Sequence, residues 1–105
     1  MRKFAHIGIP SAEKRENMSR IDAMKLSVSS PADSKHSIEW LYFEYDCPMP
    51  KLLQTSTHIA YFVDDIESEL KGANVLVPMS VLPDGTKLAF IVEEGVPIEL
   101  LQPLV

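Results

Sequence analysis

A pattern of histidine and glutamate occurs twice in this sequence of 105 residues, once in each half. The segment HIGI at residues 6–9 returns as HIAY at residues 58–61, and IEWL at 38–41 returns as IELL at 98–101. Each half therefore begins with a histidine in an apolar segment and ends with a glutamate in another. An internal repeat of roughly 50 residues predicts two similar supersecondary units packed about a pseudo-twofold axis.

Strands are predicted through most of the chain, because short apolar and alternating segments are separated by turn residues. One helix is predicted after Asp64, with an acidic N-cap, Ile66 and Leu70 on one face and Gly72 as its stop. The polar residues 10–22 contain few apolar positions, so a helix there is weak or absent. The predicted strands are Phe4–Ile9, Met24–Val28, Ile38–Tyr45, Thr57–Val63, Val75–Val77, Lys87–Val92 and Val96–Gln102.

Strand alternation places the repeated histidines and glutamates on one face of the predicted sheet. His6 and His58 alternate with larger apolar residues, and so do Glu39 and Glu99. If the larger residues face outward, all four ionisable side chains face inward, where they are costly to desolvate without a partner. A divalent cation is the natural partner, and imidazole with carboxylate suits zinc, nickel, manganese or ferrous iron.

Several segments of the chain resemble the vicinal oxygen chelate superfamily, which contains glyoxalases and bleomycin-resistance proteins. The resemblance is clearest in HIAYFVDDIE (58–67), KLAFIV (87–92) and PIELLQ (97–102). FAHIGIP (4–10), the Ile38-Glu39 pair and DCPM (46–49) extend it to the first half. The resemblance implies an α+β fold, with two βαβββ-type modules that form a cup-shaped mixed or antiparallel sheet.

The resemblance also implies one glyoxalase-like domain over residues 1–105, with module 1 at about 1–50 and module 2 at about 57–105. Module 1 is expected to be truncated, since it lacks a helix pattern and is short enough to lack a strand as well. The metal ligands implied by the family are His6, Glu39, His58 and Glu99. Glu44, on a neighbouring part of the same predicted strand, is the alternative to Glu39.

A glyoxalase-like, metal-dependent lyase or isomerase is the function that this resemblance implies. Its substrate would be a small molecule with vicinal oxygens, and the reaction would pass through an enediolate-type intermediate. Glu99 or Glu39 would act as the catalytic residue that moves a proton to and from carbon. Arginines that would hold the carboxylates of glutathione are not identifiable, which argues against lactoylglutathione lyase. An extradiol dioxygenase is disfavoured because its site has two histidines and one carboxylate.

Two other functions are compatible with the same fold. One is a metal-free protein of the bleomycin-resistance type that binds and sequesters a small molecule. Its pocket would be lined by aromatic residues, and the candidates are Trp40, Tyr42, Phe43, Tyr61, Phe62 and Phe90. The other is a degenerate module that only dimerises or takes part in a larger assembly.

The charge balance and the single cysteine limit the expected partners and location. Lys and Arg number 10 against 15 Asp and Glu, and the net charge of -5 argues against nucleic acid. No segment approaches the roughly 20 apolar residues of a membrane span, and no signal peptide is recognisable. Cys47 has no partner for an intramolecular disulfide, which fits the cytoplasm. A homodimer is expected, because an open cup leaves sheet edges and apolar surface for a twofold partner.

Overall fold

The computed structural model describes residues 1–104, which form one eight-stranded mixed sheet with few helices. The sheet is curled into a half-barrel, so the predicted α+β cup is confirmed. Short 3₁₀ turns cover Asp22–Met24 and Pro31–Asp33, and the helices are α1 (Lys51–Thr55) and α2 (Ile66–Leu70). The strands are β1 (Arg2–Pro10), β2 (Ser19–Ile21), β3 (Leu26–Val28), β4 (Ile38–Phe43), β5 (His58–Val63), β6 (Val75–Val81), β7 (Lys87–Glu93) and β8 (Val96–Gln102).

The strand order reproduces the repeat seen in the sequence. The sheet runs β2-β3-β4-β1-β5-β8-β7-β6, so two groups of four strands meet where β1 and β5 pair antiparallel. In each group the first strand lies parallel to the last, and the registers correspond. Gly8 is opposite Glu39 between β1 and β4, and Ala60 is opposite Glu99 between β5 and β8. The repeated glutamates therefore occupy equivalent places in the two halves.

The first half lacks the helix that the second half has, as its sequence predicted. It nevertheless keeps four strands, because β2 is present as a three-residue strand paired with β3. Other elements differ from the prediction: α1 was not predicted, and β6 extends to Val81 instead of ending at Val77. β3 begins at Leu26 instead of Met24, which lies in a 3₁₀ turn, and β4 ends at Phe43 instead of Tyr45. The guanidinium of Arg15, in the loop between β1 and β2, stacks 3.8 Å from the ring centroid of Trp40 on β4.

Apolar side chains are buried on both faces of the sheet. On the outer face α2 inserts Ile66 into a cluster of Val63, Ala89, Ile91, Ile98 and Leu100. On the inner face Leu53 of α1 packs with Val77, Leu88 and Phe90. Alternation along β7 explains the division, since Leu88 and Phe90 face inward while Ala89 and Ile91 face outward. The inner face is thus an apolar surface around the repeated histidines and glutamates.

The helices of residues 1–104 are short, and none has the length and apolar content needed to cross a membrane.

Candidate metal centre

Four side chains converge at the middle of the sheet, one from each of its four central strands. His6 lies on β1, Glu39 on β4, His58 on β5 and Glu99 on β8. Each offers one ligand atom, and these four atoms all lie within 4.8 Å of one another. Each half of the molecule therefore contributes one imidazole and one carboxylate. His6, His58 and Glu99 are buried, while Glu39 is partly accessible.

Glu99 is the centre of the hydrogen bonds within this cluster. Its Oε1 accepts a hydrogen bond from Nε2 of His6 at 3.1 Å and another from Nε2 of His58 at 3.0 Å. Nε2 of His6 also lies 3.3 Å from Oε1 of Glu39. The same ring nitrogen of both histidines therefore points into the space between the carboxylates.

The charges of His6 and Glu99 support one another within the cluster. Burial opposes a positive charge on His6, but the hydrogen bonds to Glu39 and Glu99 outweigh it and raise the pKa of His6 to about 10. Burial also opposes a negative charge on Glu99, yet its hydrogen bonds from His58 and His6 hold the pKa of Glu99 below its usual range. A protonated His6 thus supplies the positive charge that the carboxylates require.

The residues present fit a divalent transition-metal ion. Two imidazole nitrogens and two carboxylate oxygens form a donor set that suits zinc, nickel, manganese or ferrous iron. Glu39 and Glu99 favour a positive charge beside them, as the raised pKa of His6 shows. A divalent cation would supply that positive charge in place of the proton. The donor chemistry and the spacing of the four ligand atoms, all within 4.8 Å of one another, therefore both favour a metal site.

The orientation of His58 is set by packing. A Cβ atom on Gly8 would lie 2.0 Å from Cε1 and 2.3 Å from Nε2 of the His58 ring, so only glycine leaves room for it. The ring of Phe90 meets His58 edge to face at a centroid distance of 5.2 Å. Within residues 1–104, Nδ1 of His58 has no hydrogen-bond partner. Metal-binding histidines usually receive their orientation from such a bond, so Gly8 and Phe90 take over that role.

A cavity of about 260 Å³ opens directly on the cluster. Its polar lining consists of His6, Glu39 and Glu99, and no lysine or arginine of the described chain belongs to it. The rest of its wall is apolar and comprises Ile21, Leu26, Val28, Pro31, Leu41, Leu82, Leu88, Phe90 and Leu101. A ligand in this cavity would therefore meet carboxylates at one end and hydrocarbon elsewhere.

The structure brings together the four residues that the sequence singled out, and it separates Glu44 from them. The carboxylate of Glu44 instead accepts hydrogen bonds of 2.7 and 3.1 Å from the guanidinium of Arg20. Of the six aromatic residues considered for a pocket, Phe90 alone lines the cavity at the cluster. The role of Gly8 in making room for His58 was not predicted from the sequence. Nor did the sequence predict that Ile21 and Leu82 form part of the cavity wall.

Neither a protein-family model nor a curated protein matches the sequence. Two solved structures share the arrangement over nearly the whole chain. Methylmalonyl-CoA epimerase from Mycobacterium tuberculosis has a TM-score of 0.66 and 15% identity, over 98% of this chain and 89% of the epimerase. A hypothetical protein from Bacillus halodurans C-125 has a TM-score of 0.67 and 17% identity, over 99% of this chain and 96% of the other.

This chain has the vicinal oxygen chelate fold. The likeness to these solved structures extends over both halves of the chain, including the first half without a helix. At these identities it establishes the architecture, while the roles of His6, Glu39, His58 and Glu99 stay predictions.

Proposed function

We propose that this vicinal oxygen chelate protein is a metal-dependent isomerase or lyase acting on a small substrate with vicinal oxygens. The observation that carries the proposal is a cluster of two histidines and two glutamates at the wall of an apolar cavity. Methylmalonyl-CoA epimerase, the name of one structural neighbour, denotes an isomerase and supports this reaction class. Fold similarity alone does not identify a substrate, so the proposal rests on the site.

The four clustered side chains would hold the metal, with His6 and Glu39 from one half and His58 and Glu99 from the other. A bound divalent ion would supply Lewis-acid stabilisation of negative charge on the substrate oxygens. The apolar wall of the cavity would lower the local polarity and so strengthen electrostatic interactions beside the cluster.

Proton transfer is assigned to the carboxylates, which line the cavity together. Glu99 is held by two histidines at 3.0 and 3.1 Å, whereas Glu39 has one histidine contact at 3.3 Å. The side chain of Glu39 is also the more exposed of the two, at 16% against 10%. Glu39 is therefore the glutamate that would loosen from the metal more easily; its carboxylate oxygen would then accept a proton from substrate carbon and return it, while Glu99 keeps the histidines in place.

Metal-free sequestration is the second candidate function. Without a metal, His6 and His58 already hydrogen-bond Glu99, and the adjoining cavity is mostly apolar. A protein with these features can bind a small apolar molecule without chemistry. The two functions differ in whether the cluster binds a metal.

Metal content is the experiment that separates the two functions. Protein purified without added metal is analysed by elemental mass spectrometry, beside a Glu99→Gln variant and a His58→Ala, Glu99→Ala double variant. We expect near-stoichiometric transition metal in the wild type and its loss in both variants. Glu44→Gln is the matched control, because Glu44 pairs with Arg20 outside the cluster. A wild type without metal, even after incubation with zinc, nickel or manganese, would contradict the enzyme and favour sequestration.

Activity is then tested by proton exchange in deuterated water, followed by NMR with α-ketoaldehydes, 2-hydroxyacids and acyl-CoA epimers. We expect Glu39→Gln to lose exchange at the substrate carbon by roughly 10²–10⁴-fold, the usual contribution of a general base. A Glu39→Gln protein that binds metal and exchanges substrate as fast as the wild type would contradict the role of Glu39.

We also propose that the chain forms a homodimer. The proposal is supported by β6, which lies at one edge of the sheet and exposes Val75 and Met79. An exposed apolar edge strand favours pairing with another chain. Sedimentation velocity should show a dimer for the wild type and a monomer for Met79→Lys. A wild type that sediments as a monomer at high concentration would contradict the dimer.

A further inference from the structure

The cavity beside the cluster has an uncharged apolar wall, and two residues of that wall, Ile21 and Leu82, also line a neighbouring cavity. We infer that the substrate carries a short, uncharged hydrocarbon group beside its vicinal oxygens, and that Ile21 and Leu82 set the maximum length of that group. This inference rests on the proposed function, because it assumes that the oxygens face the cluster of His6, Glu39, His58 and Glu99.

The distribution of charge in the cavity excludes a charged group at the far end of the substrate. All ionisable residues of its wall belong to the metal-binding cluster, and the remaining wall is hydrocarbon. A phosphate or carboxylate placed against Leu26, Leu41 or Leu88 would lose its hydration without gaining a partner. No lysine or arginine within residues 1–104 lines the cavity to compensate it, His6 is already engaged by Glu39 and Glu99, and these two carboxylates would repel it.

The size of the cavity agrees with a small substrate. Its volume of about 260 Å³ is just below the range of roughly 300–1,000 Å³ typical of small-molecule sites. A compact molecule with a few carbon atoms fits such a space, whereas a substrate with a nucleotide-sized appendage needs to extend beyond it. The position of the far wall therefore decides which substrates enter.

A second cavity, of about 530 Å³, adjoins this far wall. We call it the outer cavity; it is lined by Arg20–Ala23 and Val81–Asp84. Ile21 and Leu82 line both cavities, so these two side chains stand between them. They come from opposite edges of the sheet, since Ile21 is in the edge strand β2 and Leu82 directly follows the other edge strand, β6. The curvature of the sheet is what brings the two edges to one cavity.

The wall between the cavities is held in place by contacts on both sides. The backbone N–H of Leu82 donates to the carbonyl of Thr86 at 2.8 Å, and its side chain packs on the inner apolar cluster that contains Leu88. Ile21 pairs with Leu26 across β2 and β3. The outer cavity differs from the inner one in carrying charged groups besides its apolar residues, namely Asp84 and the ion pair of Arg20 with Asp22. A longer hydrocarbon group would have to displace Ile21 or Leu82 and approach these charged groups.

Binding of graded hydroxamic acids tests the inference in the metal-loaded protein, because a hydroxamate presents two adjacent oxygens. Cobalt-loaded protein is titrated with acetohydroxamic, hexanohydroxamic and decanohydroxamic acid, and with the monohydroxamate of adipic acid, followed by the visible cobalt spectrum. We expect hexanohydroxamate to bind at least about tenfold more tightly than the charged adipic derivative, since a pocket built for hydrocarbon leaves a carboxylate unpaired. Decanohydroxamate should bind more weakly than hexanohydroxamate.

Leu82→Ala and Ile21→Ala locate the far wall. Each variant should strengthen the binding of decanohydroxamate by about tenfold and leave the affinity for acetohydroxamate unchanged. Tenfold is the low end of what a methylene-sized change in an apolar pocket achieves. Pro83→Ala is the control, because Pro83 lines the outer cavity but not the inner one. Equal affinity for the charged and uncharged six-carbon probes would overturn the inference, and so would variants that change the short and long probes equally.

A metal-free measurement keeps this inference separate from the proposed function. Methyl NMR of the metal-free protein is recorded with 1-hexanol, hexanoate and 1-octanol, following the leucine and isoleucine methyl groups of the cavity. Shifts of Leu41 and Leu88 with 1-hexanol but not with hexanoate would support the inference even if cobalt failed to bind, an outcome that contradicts only the proposed function. Equal shifts with hexanoate, or none with 1-hexanol, would overturn it.

Discussion

Gly8 determines the position of His58 although it provides no ligand atom. A Cβ at Gly8 would overlap the His58 ring at 2.0 Å, so we expect Gly8→Ala to displace the ring and move its Nε2 away from the cluster. Overpacking of this kind costs about 1–3 kcal/mol of stability. Metal affinity should fall by more than about tenfold, since even partners beyond the direct ligands contribute that much.

Isothermal titration calorimetry with zinc measures the effect of Gly8→Ala, with urea unfolding as the parallel measure of stability. Ala60→Gly is the matched control, because Ala60 takes the equivalent place in the second half, opposite Glu99. It should lose stability through removal of a buried methyl group but keep the metal affinity. An unchanged zinc affinity in Gly8→Ala would contradict the steric role of Gly8.

Because of His6, the metal-free protein should lose stability as the pH becomes alkaline. Its pKa is raised from 6.5 to about 10 in the folded protein by Glu39 and Glu99, so the folded state binds the proton more tightly than the unfolded state. The stabilisation is fully present below pH 6.5 and is lost as the pH rises through about 10. The lowered pKa of Glu99 has its effect at acidic pH, because the stabilisation by Glu99 is lost as the pH falls below the usual carboxyl range.

Urea unfolding of metal-free protein at pH values between 6.5 and 10 measures the contribution of His6. We expect the free energy of unfolding to fall across this range in the wild type and to vary less in His6→Gln. His36→Gln should behave like the wild type, because His36 is exposed and outside the cluster. Parallel pH profiles for His6→Gln and the wild type would show that the His6 ion pairs do not stabilise the fold.

Helix α2 depends on its packing for stability. Five residues are too few for an isolated helix in water, and Ile66 anchors them in the outer apolar cluster with no exposed surface. The backbone N–H of Ile66 also donates to the side chain of Gln102 on β8 at 2.9 Å. We expect Ile66→Ala to lose about 2–5 kcal/mol in the free energy of unfolding, the usual cost of such a buried truncation.

Urea unfolding tests this prediction, with Glu67→Ala as an exposed control on the same helix. Because Ile66 packs on the outer face and the metal cluster lies on the inner face, the folded fraction of Ile66→Ala should bind zinc as the wild type does. A loss below about 0.5 kcal/mol, the range of ordinary surface substitutions, would show that α2 is not held by Ile66.

The elements that carry the repeat could be predicted from the sequence. Prediction failed for short segments whose structure depends on distant parts of the chain. The correspondence of Glu39 with Glu99 followed from the repeat, and the observed registers agree with it. Three residues of β2 show too little alternation to indicate a strand. The shared wall of Ile21 and Leu82 depends on sheet curvature, and the role of Gly8 depends on its pairing opposite His58 across β1 and β5.

At the scale of the whole molecule, the site belongs to neither half alone. Each half provides one histidine and one glutamate, and the halves meet along the antiparallel pairing of β1 with β5. An ion held by all four side chains would therefore join the two halves of the sheet. The unfolded chain does not bring these donors together, so metal binding must favour the folded state by mass action.

Thermal unfolding measures this coupling between metal and fold. At free zinc about 100 times the Kd, binding to the folded state alone adds about 2.7 kcal/mol. For a domain of this size that gain raises the Tm by roughly 10–20 °C, since each kcal/mol is worth about 4–8 °C. Excess EDTA should reverse the shift. Glu99→Gln should shift much less and Glu44→Gln as much as the wild type, because only Glu99 joins His6 and His58. Equal shifts in both variants would mean that zinc binds elsewhere, and the four side chains would then serve only to pair one another's charges.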